Sequence, residues 1–243
     1  MYKNIENVNI YYEDINKEAK NTLVLLHGWG QNIEMMKPIS NNLKQYRIIL
    51  IDLPGHGKSE EPMYPFTVSD YVEIVYKLLK ELKIKNPTLI GHSFGGKISL
   101  LYASKYSVKK LILFGSPFKK EITKESFKLK TLKALKKIPG INKLEGFAKK
   151  HIGSTDYKNA SAIMRQILVN TVNDDITKDI SKINCSTLLI WGTRDEAVDL
   201  SQAYELNELI EDSAVIEYEN CTHYAYLENI GQTVNIINNF TKE

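Results

Sequence analysis

Cysteine is scarce in this sequence. Among 243 residues there are two, Cys185 and Cys221, far apart and outside any C-x-x-C pair. A disulfide framework is therefore excluded as the basis of the fold. Two lone thiols suit a reducing compartment, although one disulfide between them stays open at this level. Charge of one sign is scarce too. The formal net charge is only +3, so the chain carries no overall polyanion-binding signature, and nucleic acid is not an expected partner. Long apolar runs are missing: nothing approaches the roughly 18 uninterrupted apolar residues of a membrane span. The start, Met1-Tyr2-Lys3-Asn4-Ile5-Glu6, lacks the apolar core of a secretion signal. These absences lead to the expectation of a soluble cytoplasmic protein without integral membrane association. No His/Cys/Asp spacing suits zinc, and no metal is implied. Internal repeats and low-complexity tracts are absent. What the chain does have is 43% hydrophobic residues, enough at this length for one globular domain with a sizeable core.

Short apolar runs alternate with helical patterns, which predicts an α/β fold: a mainly parallel sheet with helices on both faces. The expected strands are Thr22 to Leu26, Ile48 to Ile51, Pro87 to Ile90, Leu111 to Phe114, Thr187 to Ile190 and Ala214 to Tyr218. Val8, Ile10 and Tyr12 alternate as in an early edge strand. Thr67-Val68-Ser69-Asp70 has capping-box spacing, and Val72, Val75, Leu78, Leu79 and Leu82 follow at helical intervals. After Ser116-Pro117 the character changes. Residues 118 to about 183 hold no strong strand, and helical patterns dominate. Leu132, Leu135 and Ile138 face one way and Lys130, Lys133 and Lys137 the other, before Pro139-Gly140 breaks the pattern. This lysine row is read first as a solvated face, and otherwise as a surface for an anionic substrate, an acidic partner or a membrane.

Residues 91–96 read Gly-His-Ser-Phe-Gly-Gly, between an expected strand and an expected helix. This is the G-x-S-x-G arrangement of a nucleophile elbow. So sharp a turn needs small neighbours, which Gly91, Gly95 and Gly96 supply. It would push Ser93 Oγ out above the sheet and aim a helix N-terminus at the place where negative charge develops. The bland alternative is a glycine-rich turn with an idle serine. A second glycine-rich stretch, Asp52-Leu53-Pro54-Gly55-His56-Gly57-Lys58-Ser59, ends like a phosphate-binding loop. It has Asp52 where that pattern needs glycine, and Glu60-Glu61-Pro62 follows where a helix should open, so nucleotide binding is not expected.

Taken together, these landmarks resemble the α/β-hydrolase family over most of the chain. His27-Gly28-Trp29-Gly30 after the first long strand is similar to the family's oxyanion turn. Trp191-Gly192-Thr193-Arg194-Asp195 follows a later strand as the family's acid does, and Cys221-Thr222-His223 lies where its histidine does. The chain order Ser, Asp, His matches this family rather than the chymotrypsin or subtilisin orders. The resemblance implies Ser93, Asp195 and His223 as catalytic residues, with the backbone N–H groups of Trp29 and Phe94 as the oxyanion hole. It also implies a core of residues 1–117 and 184–243, with 118–183 as a helical cap insertion. Thr222 stands where the family more often has glycine. Asp195 is preferred to Glu196 and Asp199 because it is early in the loop leaving the strand, whereas Asp199 fits an N-cap for the helix through Tyr204, Leu206 and Leu209. Among the other histidines, His27 and His56 fit loop bracing, His92 should point away from the nucleophile, and His151 has no partner pattern.

The chemistry implied is that of a serine hydrolase acting on a carboxylic ester or related acyl bond, with a small-molecule acyl substrate and no cofactor. A serine at position 93 argues against the family's dehalogenases and epoxide hydrolases, which use aspartate there. The same triad also serves C–C bond cleavage, vitamin-pathway lyases or synthases, and perhydrolysis. A ligand receptor on this fold is the non-enzymatic alternative.

Overall fold

The computed structural model describes residues 1–120 and 160–242. Eight strands form one sheet: β1 (Tyr2–Ile5), β2 (Val8–Ile15), β3 (Thr22–Leu26), β4 (Arg47–Ile51), β5 (Thr88–His92), β6 (Lys110–Phe114), β7 (Thr187–Gly192) and β8 (Ser213–Tyr218). Their order is β1-β2-β4-β3-β5-β6-β7-β8. β2 runs antiparallel to both β1 and β4, and every pairing from β4 through β8 is parallel.

Val8 to Tyr12 was expected at the edge, but β1 takes that place. Glu6 and Asn7 both adopt positive φ, 51° and 64°, and close a two-residue hairpin that pairs Ile5 with Val8. This is the backbone of a primed turn, whose usual sequence sign is Asn-Gly or Asp-Gly. Glu-Asn hides it.

The continuous apolar runs of the parallel strands are explained by burial on both faces. Val24, Leu26, Ile49, Ile51, Leu89 and Leu111 enter one core. Their neighbours Leu23, Leu25, Ile48, Leu50, Ile90 and Ile112 enter the other. The first core is covered by α2 (Val68–Glu81) and α3 (Phe94–Lys105). The second is covered in part by α1 (Lys37–Ser40) and by the C-terminal helix over Ile230–Thr241. The capping box of α2 is present: Asp70 N–H donates to Thr67 Oγ1 at 3.3 Å and Thr67 N–H donates to Asp70 Oδ2 at 2.7 Å.

Within 118–183, the described residues include α4 (Ala162–Asn173) and α5 (Thr177–Ile180) and no strand. Lys130, Lys133 and Lys137, their apolar partners, Pro139-Gly140 and His151 lie outside the described residues. Among the described residues no helix is long and apolar enough to cross a membrane, and no three His, Cys, Asp or Glu side chains cluster as a metal site. Cys185 and Cys221 are free thiols, so the disulfide left open by the sequence is not formed. The helix after β7, α6 (Ser201–Leu209), has Leu200 at its N-cap position rather than Asp199. Asp199 still serves that end one residue earlier, since its Oδ1 accepts the Ser201 N–H at 2.9 Å.

Candidate active site

The parallel strands bring the C-terminal ends of β3, β5, β6, β7 and β8 to one edge, where α/β sheets place their sites. Ser93 follows β5 and starts α3 with φ 53° and ψ −115°. Such a conformation costs a non-glycine residue about 1–3 kcal/mol and survives only where its surroundings enforce it. They do so here. Ser93 N–H donates to Phe114 O at 2.9 Å, and Lys97 N–H donates to Ser93 O at 3.0 Å. Gly95 is needed for close approach: a β-carbon there would stand 2.4 Å from Leu26 O. The start of α3 is thereby pressed against the end of β3.

Asp195 and His223 come from the loops after β7 and β8. The two loops are tied together by Arg194 N–H to Cys221 O at 2.8 Å and Asn220 N–H to Thr193 Oγ1 at 2.8 Å. His223 Nδ1 lies 2.8 Å from Asp195 Oδ2, with both side chains buried. A carboxylate only accepts, so Nδ1 carries the proton and Nε2 is left as the basic nitrogen. Asp195 Oδ1 accepts the N–H groups of Ala197 at 2.8 Å and Val198 at 2.9 Å. One oxygen is thus anchored to backbone and the other is aimed at the ring. Gly115, after β6, abuts this pair at φ 49°: a β-carbon there would be 2.8 Å from His223 Nδ1 and 2.9 Å from Asp195 Oδ2. Thr222 fixes the histidine loop through Glu228, whose carboxylate accepts the Thr222 hydroxyl and, at 3.0 Å, its N–H.

The two residues expected to supply the oxyanion N–H groups touch through their side chains. The rings of Trp29 and Phe94 meet edge-on, 5.3 Å between centroids. His56 packs edge-on against Trp29 at 4.9 Å. His27 and His56 brace loops: His27 Nε2 accepts the Leu53 N–H at 3.0 Å, its Nδ1 reaches Gly28 O at 2.8 Å, and His56 Nδ1 reaches Pro54 O at 3.0 Å. Burial lowers His27 to about 4 and, with His27 beside it, lowers His56 to about 3. Both rings are neutral near pH 7.

Sequence reasoning missed a network behind the site. His92 Nε2 faces the His223 carbonyl at 3.1 Å and its Nδ1 faces Gln31 Oε1 at 3.3 Å. That Gln31 oxygen accepts the Gly28 N–H at 3.0 Å, and Gln31 Nε2 donates to Tyr224 OH at 3.1 Å. His92 therefore links the histidine loop to the turn after β3. Burial, then the neighbouring His223, pushes its pKa well below the usual range. No local pattern marks Gln31 or Tyr224. Lys97 was also missed, and it had a signal: a lysine inside the apolar run of α3, four residues after the serine.

A parallel sheet covered on both faces, with a strained serine at a strand-to-helix turn and an Asp–His pair at the same edge, defines the class of α/β hydrolases. A family model described as the alpha/beta hydrolase fold matches residues 21–135. Lipase 3 of Moraxella sp. (strain TA144) is 27% identical over 93% of this chain and 78% of its own. A 2-hydroxy-6-oxononadienedioate/2-hydroxy-6-oxononatrienedioate hydrolase of Pseudomonas putida is 26% identical over 91% and 88%. The solved structure of an esterase from Exiguobacterium antarcticum superposes with a TM-score of 0.80 at 24% identity, covering 100% of this chain and 99% of that one. The chain has the α/β-hydrolase fold and is an enzyme of that class.

Proposed function

We propose that the protein is a serine hydrolase that cleaves a carboxylic ester or related acyl bond through an acyl-Ser93 intermediate. The observation that carries this reading is the buried His223–Asp195 pair at 2.8 Å, held at the sheet edge where Ser93 adopts its elbow conformation. A serine hydroxyl is a weak nucleophile near neutral pH and needs a base. His223 Nε2 takes the Ser93 proton as Oγ attacks the acyl carbon, and the proton then passes to the departing alcohol. Water attacks the acyl-serine by the same route, releasing the acid. Asp195 holds the tautomer and stabilises the imidazolium. The N–H groups of Trp29 and Phe94 stabilise the tetrahedral oxyanion, each worth about 2.7–4 kcal/mol in such sites. In the same reading, 118–183 is a cap over a core of 1–117 and 184–243, supported by Leu168 and Val172 of its segment lining the pocket beside Trp29 and Phe94. Labelling with a fluorophosphonate followed by mass spectrometry tests the nucleophile. One adduct on Ser93 is expected; no adduct, or equal labelling of Ser93→Ala, rejects it. A labelled protein that turns over no ester would favour the receptor alternative.

A further inference from the structure

The turn after β3 is too pliant to aim itself. Trp29, whose N–H is the first oxyanion donor of the reading above, stands between Gly28 and Gly30, and Gly30 takes φ 68°. Glycines on both sides remove the steric limits that would otherwise hold the backbone. The direction of the Trp29 N–H must therefore come from contacts beyond local sterics. A peptide unit is planar and trans, so this N–H points opposite to the Gly28 C=O of the same unit. Whatever grips Gly28 aims Trp29.

Gln31 grips Gly28 on both of its polar groups. Its backbone N–H donates to Gly28 O at 3.2 Å, beside His27 Nδ1 at 2.8 Å. Its side-chain Oε1 accepts the Gly28 N–H at 3.0 Å. That N–H can only donate, which turns the amide oxygen toward Gly28 and the amide nitrogen toward Tyr224 OH, 3.1 Å away. A β-carbon on residue 28 would stand 3.1 Å from Gln31 Oε1 and 3.0 Å from His92 Nδ1, so glycine gives the amide its room. Burial keeps the His92 ring neutral, and its one proton belongs on Nε2, which faces the His223 carbonyl at 3.1 Å. Tyr224 directly follows His223. Gln31 and Tyr224 are 5% and 1% exposed. One buried side chain spans the oxyanion turn and the base loop, which lie 193 residues apart.

We propose that Gln31 is a positioning residue for the reaction: its amide holds the Trp29 N–H and the His223 ring in register, so that both meet one tetrahedral centre on Ser93. The inference rests on the serine-hydrolase reading above. A displacement of about 1 Å between groups that act on the same atoms costs about 10²-fold in rate. Gln31 acts through the two loops, so its loss should appear in the transition state and leave ground-state binding nearly unchanged.

The test uses p-nitrophenyl butanoate as substrate and propyl trifluoromethyl ketone as inhibitor, to which a serine adds to form an oxyanion. Gln31→Leu should lower kcat by about 10–100-fold with KM within about threefold, and raise the ketone's inhibition constant by a factor similar to the fall in kcat/KM. Tyr224→Phe, which cuts only the tie to the base loop, should lower kcat less. The double variant should be no slower than Gln31→Leu alone, because both changes break one linkage. A thermal melt establishes that each variant is folded. Should Gln31→Leu fail to fold, Tyr224→Phe decides, with a fall in kcat of about threefold or more at constant KM expected. An unchanged kcat in the folded variants, a loss carried by KM with the ketone's affinity unmoved, or effects that multiply in the double variant would each overturn the inference and leave the hydrolase reading intact. If wild type turns over no ester and Ser93 takes no fluorophosphonate, the hydrolase reading has failed and the inference falls with it.

Discussion

Two loops at the same sheet edge each hold a buried aspartate and a buried histidine, and only in one of them do the two side chains bond to each other. In the loop after β4, Asp52 accepts the Ile33 N–H on Oδ1 and the Lys58 N–H on Oδ2, both at 2.8 Å. Each oxygen is committed to backbone, and burial raises the carboxyl's pKa against these two bonds. Nearby His56 turns its Nδ1 to a carbonyl. In the loop after β7, both backbone bonds of Asp195 fall on Oδ1, leaving Oδ2 for His223. The composition is alike. The difference lies in which oxygen the backbone leaves available, and that decides whether the carboxylate braces a turn or orients a base.

The sharpest way to break this comparison is to neutralise each aspartate in turn. Asp195→Asn should keep the fold and lower kcat by about 10⁴-fold, through loss of tautomer control. Steady-state kinetics and a thermal melt check both halves; an active Asp195→Asn beside an inactive, folded Asp199→Ala would reverse the assignment.

Asp52→Asn should show the opposite profile. An amide presents a donor to one of two N–H groups, so denaturant melts should lose about 2–4 kcal/mol. At temperatures where the variant stays folded, kcat should change by less than about tenfold. A loss of kcat as deep as that of Asp195→Asn would erase the distinction between the loops.

Acid should expose the bracing histidines. Unfolded rings titrate near 6.5, while folded His27 and His56 refuse the proton down to about 4 and about 3. Below pH 6.5 the unfolded chain therefore binds more protons, and stability falls as pH drops. Each ring contributes a slope approaching about 1.4 kcal/mol per pH unit. Denaturant midpoints at pH 7, 6 and 5 measure this, and His56→Gln should flatten the decline. A midpoint independent of pH over this range would contradict the bracing role.

The smallest effect is expected at Asp199. Asp199→Ala removes the acceptor for Ser201 N–H and should cost about 0.5–2 kcal/mol in a thermal or denaturant melt, with kcat/KM retained.

Much of this frame was legible in the linear chain. The parallel strands appear as apolar runs because both faces are buried. The elbow shows because Ser93 can turn so sharply only among glycines, and the capping box of α2 shows because it is local. β1 was not legible, since its turn uses Glu6-Asn7 in place of a glycine pair. Nor was the His92–Gln31–Tyr224 network, whose members lie 61 and 193 residues apart and leave no periodic trace. Lys97 was marked only as a lysine in an apolar run, and its acceptors, Thr171 O and Asp174 O, come from a distant segment.

By itself, then, the sequence determined the α/β layering, the position of the strained serine and the order of the candidate acid and base. These follow from local rules: apolar periodicity, backbone sterics and turn chemistry act over a few residues and leave marks in the linear order. Tertiary structure decided which carboxylate keeps an oxygen for a histidine, which imidazoles are buried neutral, and which lysines line the pocket beside Trp29 and Phe94. Those outcomes depend on burial and on hydrogen-bond partners from distant segments, and a buried polar group takes its character from whatever the fold places against it.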